Sequence, residues 1–153
     1  MRALPSELLS ELSSERLTPA FLYYFEFTTP RYWTDFSEDI YYNGKWWYAK
    51  PIRFNDISFS LGQRISNLEL TVGNADKTIS NIVLSEDIRG KYFEIKAVAL
   101  DSNINIIESF VLFFGVVDYW DFDQREAHLK LVSHFIKWNL LTPRRFYSAT
   151  CQW

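Results

Sequence analysis

Residues 39–50 read DIYYNGKWWYAK, and they place five aromatic side chains around a central Asn43-Gly44 pair. An Asn-Gly pair accepts the positive φ angles of a two-residue type I′ turn, and β-forming residues flank it on both sides. The pattern therefore predicts a β-hairpin. Its rings have two open explanations: they form a surface that binds sugar, nucleic acid or protein, or they fill an ordinary β-sheet core.

Strand alternation divides these rings between the two faces of the predicted hairpin. Successive side chains of a strand point to opposite sides, so Trp46 and Tyr48 share one face and Trp47 takes the other. The rings then do not form the single flat platform that would suit sugar or single-stranded nucleic acid. We expect one face to fill the core and the other to contact a subunit or neighbouring protein, since Trp and Tyr dominate interface hot spots.

The rest of the chain predicts a mainly β protein. An aromatic content of 18% favours strands over helices. About seven or eight strands meet through short turns without helical crossovers, which indicates an antiparallel β-barrel or sandwich. Residues 30–39 read as a loop of polar and aromatic residues. Residues 67–72 alternate with period two, and residues 108–120 form one long strand.

Two helices are expected beside the strands. Residues 1–17 predict an N-terminal amphipathic helix. Ile79 and Ile82, together with Val83, predict one short inserted helix with Asp76 as its N-cap. We expect a single domain over residues 1–153, with a β-rich core at 20–138 and an extended segment at 139–153.

The composition limits the classes of partner. A net charge of −3 without a dominant basic stretch disfavours binding to the negatively charged nucleic-acid backbone, so we expect no nucleic-acid specificity. The sequence lacks a run of about 18 apolar residues, so we expect no stable membrane insertion. One cysteine excludes an internal disulfide framework.

No familiar catalytic motif is present in the sequence. His128 and His134 lie six residues apart on one predicted strand, roughly 20 Å apart and too far to share a metal ion. A second group, Asp118, Asp121 and Asp123, has the wrong spacing for a calcium loop and indicates a solvated hairpin tip. We therefore expect a protein that is not an enzyme, although an unrecognised carboxylate pair stays open as an alternative.

The order of elements and several short motifs resemble one family of virus-particle proteins. A hairpin strand NGKWWYAKPI precedes ISNLELTVGNAD, a short helix, GKYFEIKAVAL, SFVLFFGVVDYWDFD and a final TPRRFYSATCQW. This series is similar to the lambda-type phage tail tip family, also described as the baseplate hub proteins of siphophages. The likeness covers most of the chain, and its most specific pieces are LELTVGNAD and PRRFYSATCQW.

The resemblance implies a structural role in the tail tip of a bacteriophage or phage-like particle, assembled in the host cytoplasm. It implies β-barrel domains that interlock as a homotrimeric hub and join the distal tail ring to the central fibre. The implied partners are the distal tail protein, the central fibre or tail fibre protein, and the tape measure protein.

The resemblance also gives Cys151 a role. In the family, further cysteines follow this position and are thought to hold an iron–sulfur cluster, which takes about four thiolates. This sequence stops at Trp153 and has one cysteine. We therefore expect no cofactor within these residues, with Cys151 as a cluster ligand only in a longer chain.

These arguments lead to one interface hypothesis and one alternative binding function. The residues that we expect at an interface combine the hairpin with the aperiodic C-terminal segment: Trp46, Trp47, Tyr48, Arg144, Arg145, Phe146 and Tyr147. The alternative is a carbohydrate-binding β-sandwich module that uses exposed Trp and Tyr side chains.

Overall fold

The computed structural model describes residues 18–55 and 67–133, which contain nine strands and one helix. The strands are β1 (Thr18–Phe25), β2 (Arg31–Thr34), β3 (Ile40–Tyr42), β4 (Lys45–Ala49), β5 (Ile52–Phe54), β6 (Asn67–Gly73), β7 (Tyr92–Leu100), β8 (Ile106–Phe122) and β9 (Glu126–Ser133). The helix, α1, spans Thr78–Ser85. The predicted N-terminal helix at 1–17 and the predicted extended segment at 139–153 lie outside the described residues.

All nine described strands belong to one sheet, in the order β3-β4-β2-β1-β7-β8-β9-β6-β5. The mainly β prediction is confirmed, with one more strand than the upper expected count. The sheet is mixed, because β2 and β4 pair in parallel while the other described ladders are antiparallel. The reading of residues 30–39 as a loop is wrong for β2, which pairs on both of its edges.

The described sheet curls strongly without closing into a barrel. Strands β4 and β5 are separated by Lys50 and Pro51 alone, although they lie near opposite ends of the strand order. The Lys50 amide donates to the Thr34 carbonyl at 2.9 Å, whereas the Pro51 carbonyl accepts from Gly73 N–H at 2.7 Å. Hydrogen bonding thus switches from β2 to β6 at a proline, which has no N–H to donate. Where a barrel or sandwich was expected, the described strands form a single sheet that is not closed into a barrel.

Strand β1 lies between two hydrophobic clusters on opposite faces of the sheet. Its neighbours Leu22 and Tyr23 are both fully buried, although they point to opposite sides. The larger cluster contains Tyr23, Phe25, Trp33, Leu68, Leu70, Val72, Ile79, Ile82, Phe93, Ile95, Phe113, Leu129 and Leu131, among others. The smaller cluster contains Ala20, Leu22, Ile40, Trp47, Val98 and Leu100. Strands β1 and β7 therefore contribute side chains to both clusters.

Helix α1 covers one end of the larger cluster. Ile79 and Ile82 are buried, as the sequence pattern predicts. The predicted N-cap is shifted by one residue, because Lys77 holds the cap position in a left-handed conformation with φ of 56°. Asp76 nevertheless supplies an acceptor to the first turn, since its Oδ1 lies 3.2 Å from the Thr78 amide nitrogen. An aspartate side chain that accepts from the amide two residues on forms an Asx-turn.

Candidate interaction surface

The hairpin of β3 and β4 has the turn that its sequence predicts. Asn43 and Gly44 both have positive φ, at 51° and 77°. Tyr41 pairs with Trp46 and Ile40 pairs with Trp47 across the two strands. A two-residue turn fixes this register, so the assignment of each ring to one face of the hairpin follows directly from the turn.

One face of the hairpin belongs to the smaller core. The Trp47 side chain is 5% exposed, and its ring packs edge-on against Tyr32 with 5.2 Å between centroids. Its indole N–H donates to the Tyr42 carbonyl at 3.4 Å. The Tyr42 hydroxyl lies within hydrogen-bond distance, 2.9 Å, of the Ser109 hydroxyl on β8. The hairpin is therefore folded back over the sheet, since β3 and β8 are five places apart in the strand order.

The opposite face of the hairpin is an exposed set of three rings. Tyr41, Trp46 and Tyr48 are 60%, 53% and 54% exposed. The predicted division, with Trp46 and Tyr48 together and Trp47 opposed, is thus confirmed by the burial of the three side chains. The Tyr41 and Trp46 rings are 5.2 Å apart and inclined by 56°, so they do not form a flat platform. We call these three residues the aromatic patch.

Arg31, at the start of β2, is half-buried. Trp33 on β2 is the register partner of Tyr48 on β4. Two residues earlier on each strand, Arg31 and Trp46 lie on the same face by strand alternation. Within the described part of the chain, the buried Arg31 Nε has no hydrogen-bond partner. Sequence reasoning missed the parallel pairing of β2 with β4, because such a pairing has no local signature.

A cleft lies at the C-terminal end of α1. It has a volume of about 360 Å³ and is lined by Val83, Leu84, Ser85, Glu86, Asp87 and Trp120. Leu84 is 78% exposed, and Trp120 stacks on Phe122 with 5.5 Å between ring centroids. Carbonyl groups at a helix C-terminus carry partial negative charge, and the last turn of α1 has no basic residue. We call this feature the helix-end cleft.

Glu86 is the better anchored of the two carboxylates in the helix-end cleft. Its Oε2 accepts from the Thr28 hydroxyl at 2.6 Å and from the Thr28 amide at 2.9 Å. The Lys91 ammonium lies 3.6 Å away. These partners, led by the Thr28 hydroxyl, hold the pKa of Glu86 below its ordinary value. Glu86 therefore stays ionised and joins α1 to the loop between β1 and β2.

An ion pair joins the end of the hairpin to the start of α1. The Lys50 ammonium, just after β4, contacts the Asp76 carboxylate, which also accepts from the Thr78 hydroxyl at 2.7 Å. Partial burial raises the pKa of Asp76, but Lys50 and Thr78 outweigh burial and hold that pKa at about 2. Asp76 is thus charged throughout the neutral and mildly acidic range.

The sequence-predicted polar residues are not brought together into a site. His128 is exposed on β9, with its Nδ1 3.3 Å from the Thr71 hydroxyl, and His134 lies outside the described residues. Asp118, Asp121 and Asp123 are exposed, as predicted for the end of a hairpin. Across residues 18–55 and 67–133, no group of three or more His, Cys, Asp or Glu side chains could hold a metal ion. The same residues contain no helix long and apolar enough to cross a membrane.

The predicted C-terminal interface cannot be placed. Arg144, Arg145, Phe146, Tyr147 and Cys151 all lie outside the described residues. The expectation that these residues hold no iron–sulfur cluster stays a prediction, because it rests on the sequence: Cys151 is the single cysteine and a cluster takes about four thiolates.

Comparisons with known proteins give a fold relationship. No protein-family model and no curated protein matches the sequence. Nine chains of solved structures match the fold. One is a chain of the "Virion of native gene transfer agent (GTA) particle", with a TM-score of 0.66 and 14% sequence identity over 94% of this chain. This chain spans about half, 49%, of that one. The likeness at this identity shows a shared fold.

Proposed function

We propose that this chain is a structural component of a phage-like virion and forms the hub of its tail tip. One observation carries the proposal: nearly the whole chain shares the fold of part of a gene transfer agent virion chain. The sequence resemblance to the tail tip family supports the finer placement through LELTVGNAD and PRRFYSATCQW. A non-catalytic role and a virion location are parts of the same proposal.

The exposed rings support an assembly role. Three large aromatic side chains on one face of a hairpin are costly to leave in water, and aromatic residues are enriched at protein–protein interfaces. We propose a homotrimeric hub that contacts the distal tail protein on one side and the central fibre protein on the other. The tape measure protein is the proposed partner inside the tail tube.

The proposal is tested on assembled particles. A tagged copy of the chain is expressed in the source strain, particles are purified on a density gradient, and the tag is labelled with gold for electron microscopy. We expect the chain to sediment with the particles and the gold to mark one end of the tail. An untagged strain is the control. A chain that stays with the soluble proteins contradicts the virion role, and label elsewhere on the particle contradicts the tail tip placement.

Carbohydrate binding is the second function that the aromatic patch supports. Tyr41, Trp46 and Tyr48 share one exposed face, as a sugar-binding surface would require. The 56° inclination between the Tyr41 and Trp46 rings argues against it, because sugars stack best on level rings. Titration with a glycan panel, followed by tryptophan fluorescence, distinguishes the two functions. Saturable quenching that disappears in Trp46→Ala would favour carbohydrate binding.

A further inference from the structure

The Asn43-Gly44 turn combines the features that make an asparagine side chain reactive. Both residues are exposed at the tip of the hairpin. A Cβ added to Gly44 would meet no atom within 4 Å, so the backbone there is open to solvent. The ladder ends at the Tyr42–Lys45 pair, and within the described residues no backbone hydrogen bond of a turn or loop uses the Gly44 amide. The Gly44 nitrogen is therefore free to act as a nucleophile.

The following residue decides which asparagine reacts. Of the asparagines in the sequence, Asn43 alone precedes a glycine. A side chain on the following residue hinders the approach of its amide nitrogen to the asparagine Cγ, whereas glycine leaves both space and backbone freedom. Asn103 is exposed as well, but the branched Ile104 follows it. Asn74 is buried, and its side-chain amide donates to the Ser80 hydroxyl at 2.6 Å. Asn43 is thus the asparagine with both exposure and a permissive neighbour.

The place of β3 in the sheet allows the turn to open. Strand β3 stands at one end of the described strand order, and its described pairing is three residue pairs with β4. Short edge strands open locally at a small cost compared with unfolding of the core. Opening releases Asn43 and Gly44 from the φ angles of 51° and 77° that they hold in the closed turn. The Asn43 side chain then reaches the Gly44 nitrogen without unfolding of the domain.

We propose that Asn43-Gly44 is a site of spontaneous deamidation in the folded chain. The Gly44 nitrogen bonds to the Asn43 Cγ and loses its proton to solvent. The bond from Cγ to the side-chain nitrogen breaks, and that nitrogen takes up a proton and leaves as ammonia. Water then opens the resulting succinimide ring at either carbonyl, which gives aspartate or isoaspartate and one added negative charge. The inference goes beyond the proposed function and does not depend on it.

The isoaspartate product dismantles the turn. In isoaspartate the main chain passes through Cβ and Cγ, so an extra backbone atom lies between residues 43 and 44. A two-residue type I′ turn fixes the register of its strands and has no room for that atom. The pairing of Tyr41 with Trp46, with 5.2 Å between their rings, depends on this register. Deamidation therefore breaks up the aromatic patch while the sheet beneath it stays folded.

Peptide mapping by mass spectrometry tests the proposal on the full chain, held folded in a mildly alkaline buffer. Isoaspartate is detected by enzymatic methylation of its free carboxylate. We expect Asn43 to convert at least about tenfold faster than Asn103, the internal reference for an exposed asparagine without a following glycine. Asn43→Gly is the matched control, because Gly-Gly also accepts a type I′ turn and has no side chain that can react. This variant should form no isoaspartate in the hairpin peptide.

The consequence for the hairpin is measured on the purified isoaspartate form. Its melting temperature should lie at least about 2 °C below that of the unmodified chain. Asn43→Asp adds the same charge without the extra backbone atom, and Asp-Gly suits the same turn, so this variant should melt with the unmodified chain.

A sample unfolded in urea gives the rate of the reaction without the fold. Conversion of Asn43 in urea but not in the folded chain, or equal conversion of Asn43 and Asn103, overturns the inference. An isoaspartate form that melts with the unmodified chain overturns the claim that the modification breaks up the aromatic patch.

Discussion

Substitution of two neighbouring tryptophans by alanine should cost very different amounts of folding free energy. Trp47→Ala removes a ring that is 5% exposed, packs on Tyr32 and donates to the Tyr42 carbonyl. Truncation of a buried Trp to Ala costs about 3–5 kcal/mol, through lost burial and the cavity that remains. In a chain of this size, that loss lowers the melting temperature by roughly 6–20 °C, at about 2–4 °C per kcal/mol.

Trp46→Ala should cost far less free energy of unfolding. Its ring is 53% exposed and contacts Tyr41 across the hairpin. An aromatic pair of this kind contributes about 0.5–1.5 kcal/mol, so we expect a loss near 1 kcal/mol. The same variant should nevertheless weaken self-association, which Trp47→Ala cannot test if it unfolds. Stability and association are thus assigned to opposite faces of one strand.

Urea denaturation followed by far-UV circular dichroism measures both variants, because removal of a tryptophan alters the fluorescence signal itself. The free energies of unfolding are compared with one shared m-value, the slope of the free energy against urea concentration. The reasoning predicts a difference of at least about 2 kcal/mol between the two variants. Equal losses, or a larger loss for Trp46→Ala, would show that the hairpin register or the burial of its faces is wrong.

Three further predictions test the backbone and the ion pair. Gly115→Ala should lower the free energy of unfolding in urea by about 1–3 kcal/mol or more, because the added Cβ would lie 2.1 Å from the Val132 carbonyl oxygen. An unchanged urea midpoint would contradict the close approach of β8 and β9. Gly44→Ala should cost about 1 kcal/mol through its positive φ alone, and a stabilised variant would refute the type I′ turn. The pKa of Asp76 is about 2 in the folded chain against an ordinary 3.8. Its stabilising contribution is therefore complete above pH 4 and is lost as pH falls from about 4 to 2. The melting temperature of Asp76→Asn should depend less on pH over that window than the melting temperature of the unmodified chain. An unchanged pH profile would refute the pairing.

The sequence predicted correctly those features that are set by residues adjacent in the chain. Asn43-Gly44 specifies its own turn, and the turn fixes that Trp46 and Tyr48 share the face opposite Trp47. Which of the two faces is buried depends on distant partners such as Tyr32, so the burial of Trp47, which was expected at an interface, did not follow from the sequence. Alternation in β6 likewise identifies Leu68 and Leu70 as core residues. Both features depend on residues that are adjacent in sequence, where chain geometry leaves few choices.

The missed features depend on contacts between distant segments. Strand β2 has four residues, and its parallel pairing with β4 passes over the whole of β3. No periodicity marks such a short strand, so neither β2 nor its parallel pairing could be predicted. The change of partner strand at Pro51 is a second case, because the Lys50 amide bonds to β2 while the Pro51 carbonyl bonds to β6. A proline in an alternating stretch marks a possible break in a ladder, but the two partner strands are set by tertiary packing.

A cryo-electron microscopy reconstruction of the purified particle tests the central claim most directly. The account predicts density for this chain at the tail tip, with Trp47 in the domain core and Tyr41, Trp46 and Tyr48 buried against a neighbouring subunit. A particle without the chain, or a chain whose Trp46 and Tyr48 face solvent in the assembled tip, would contradict it.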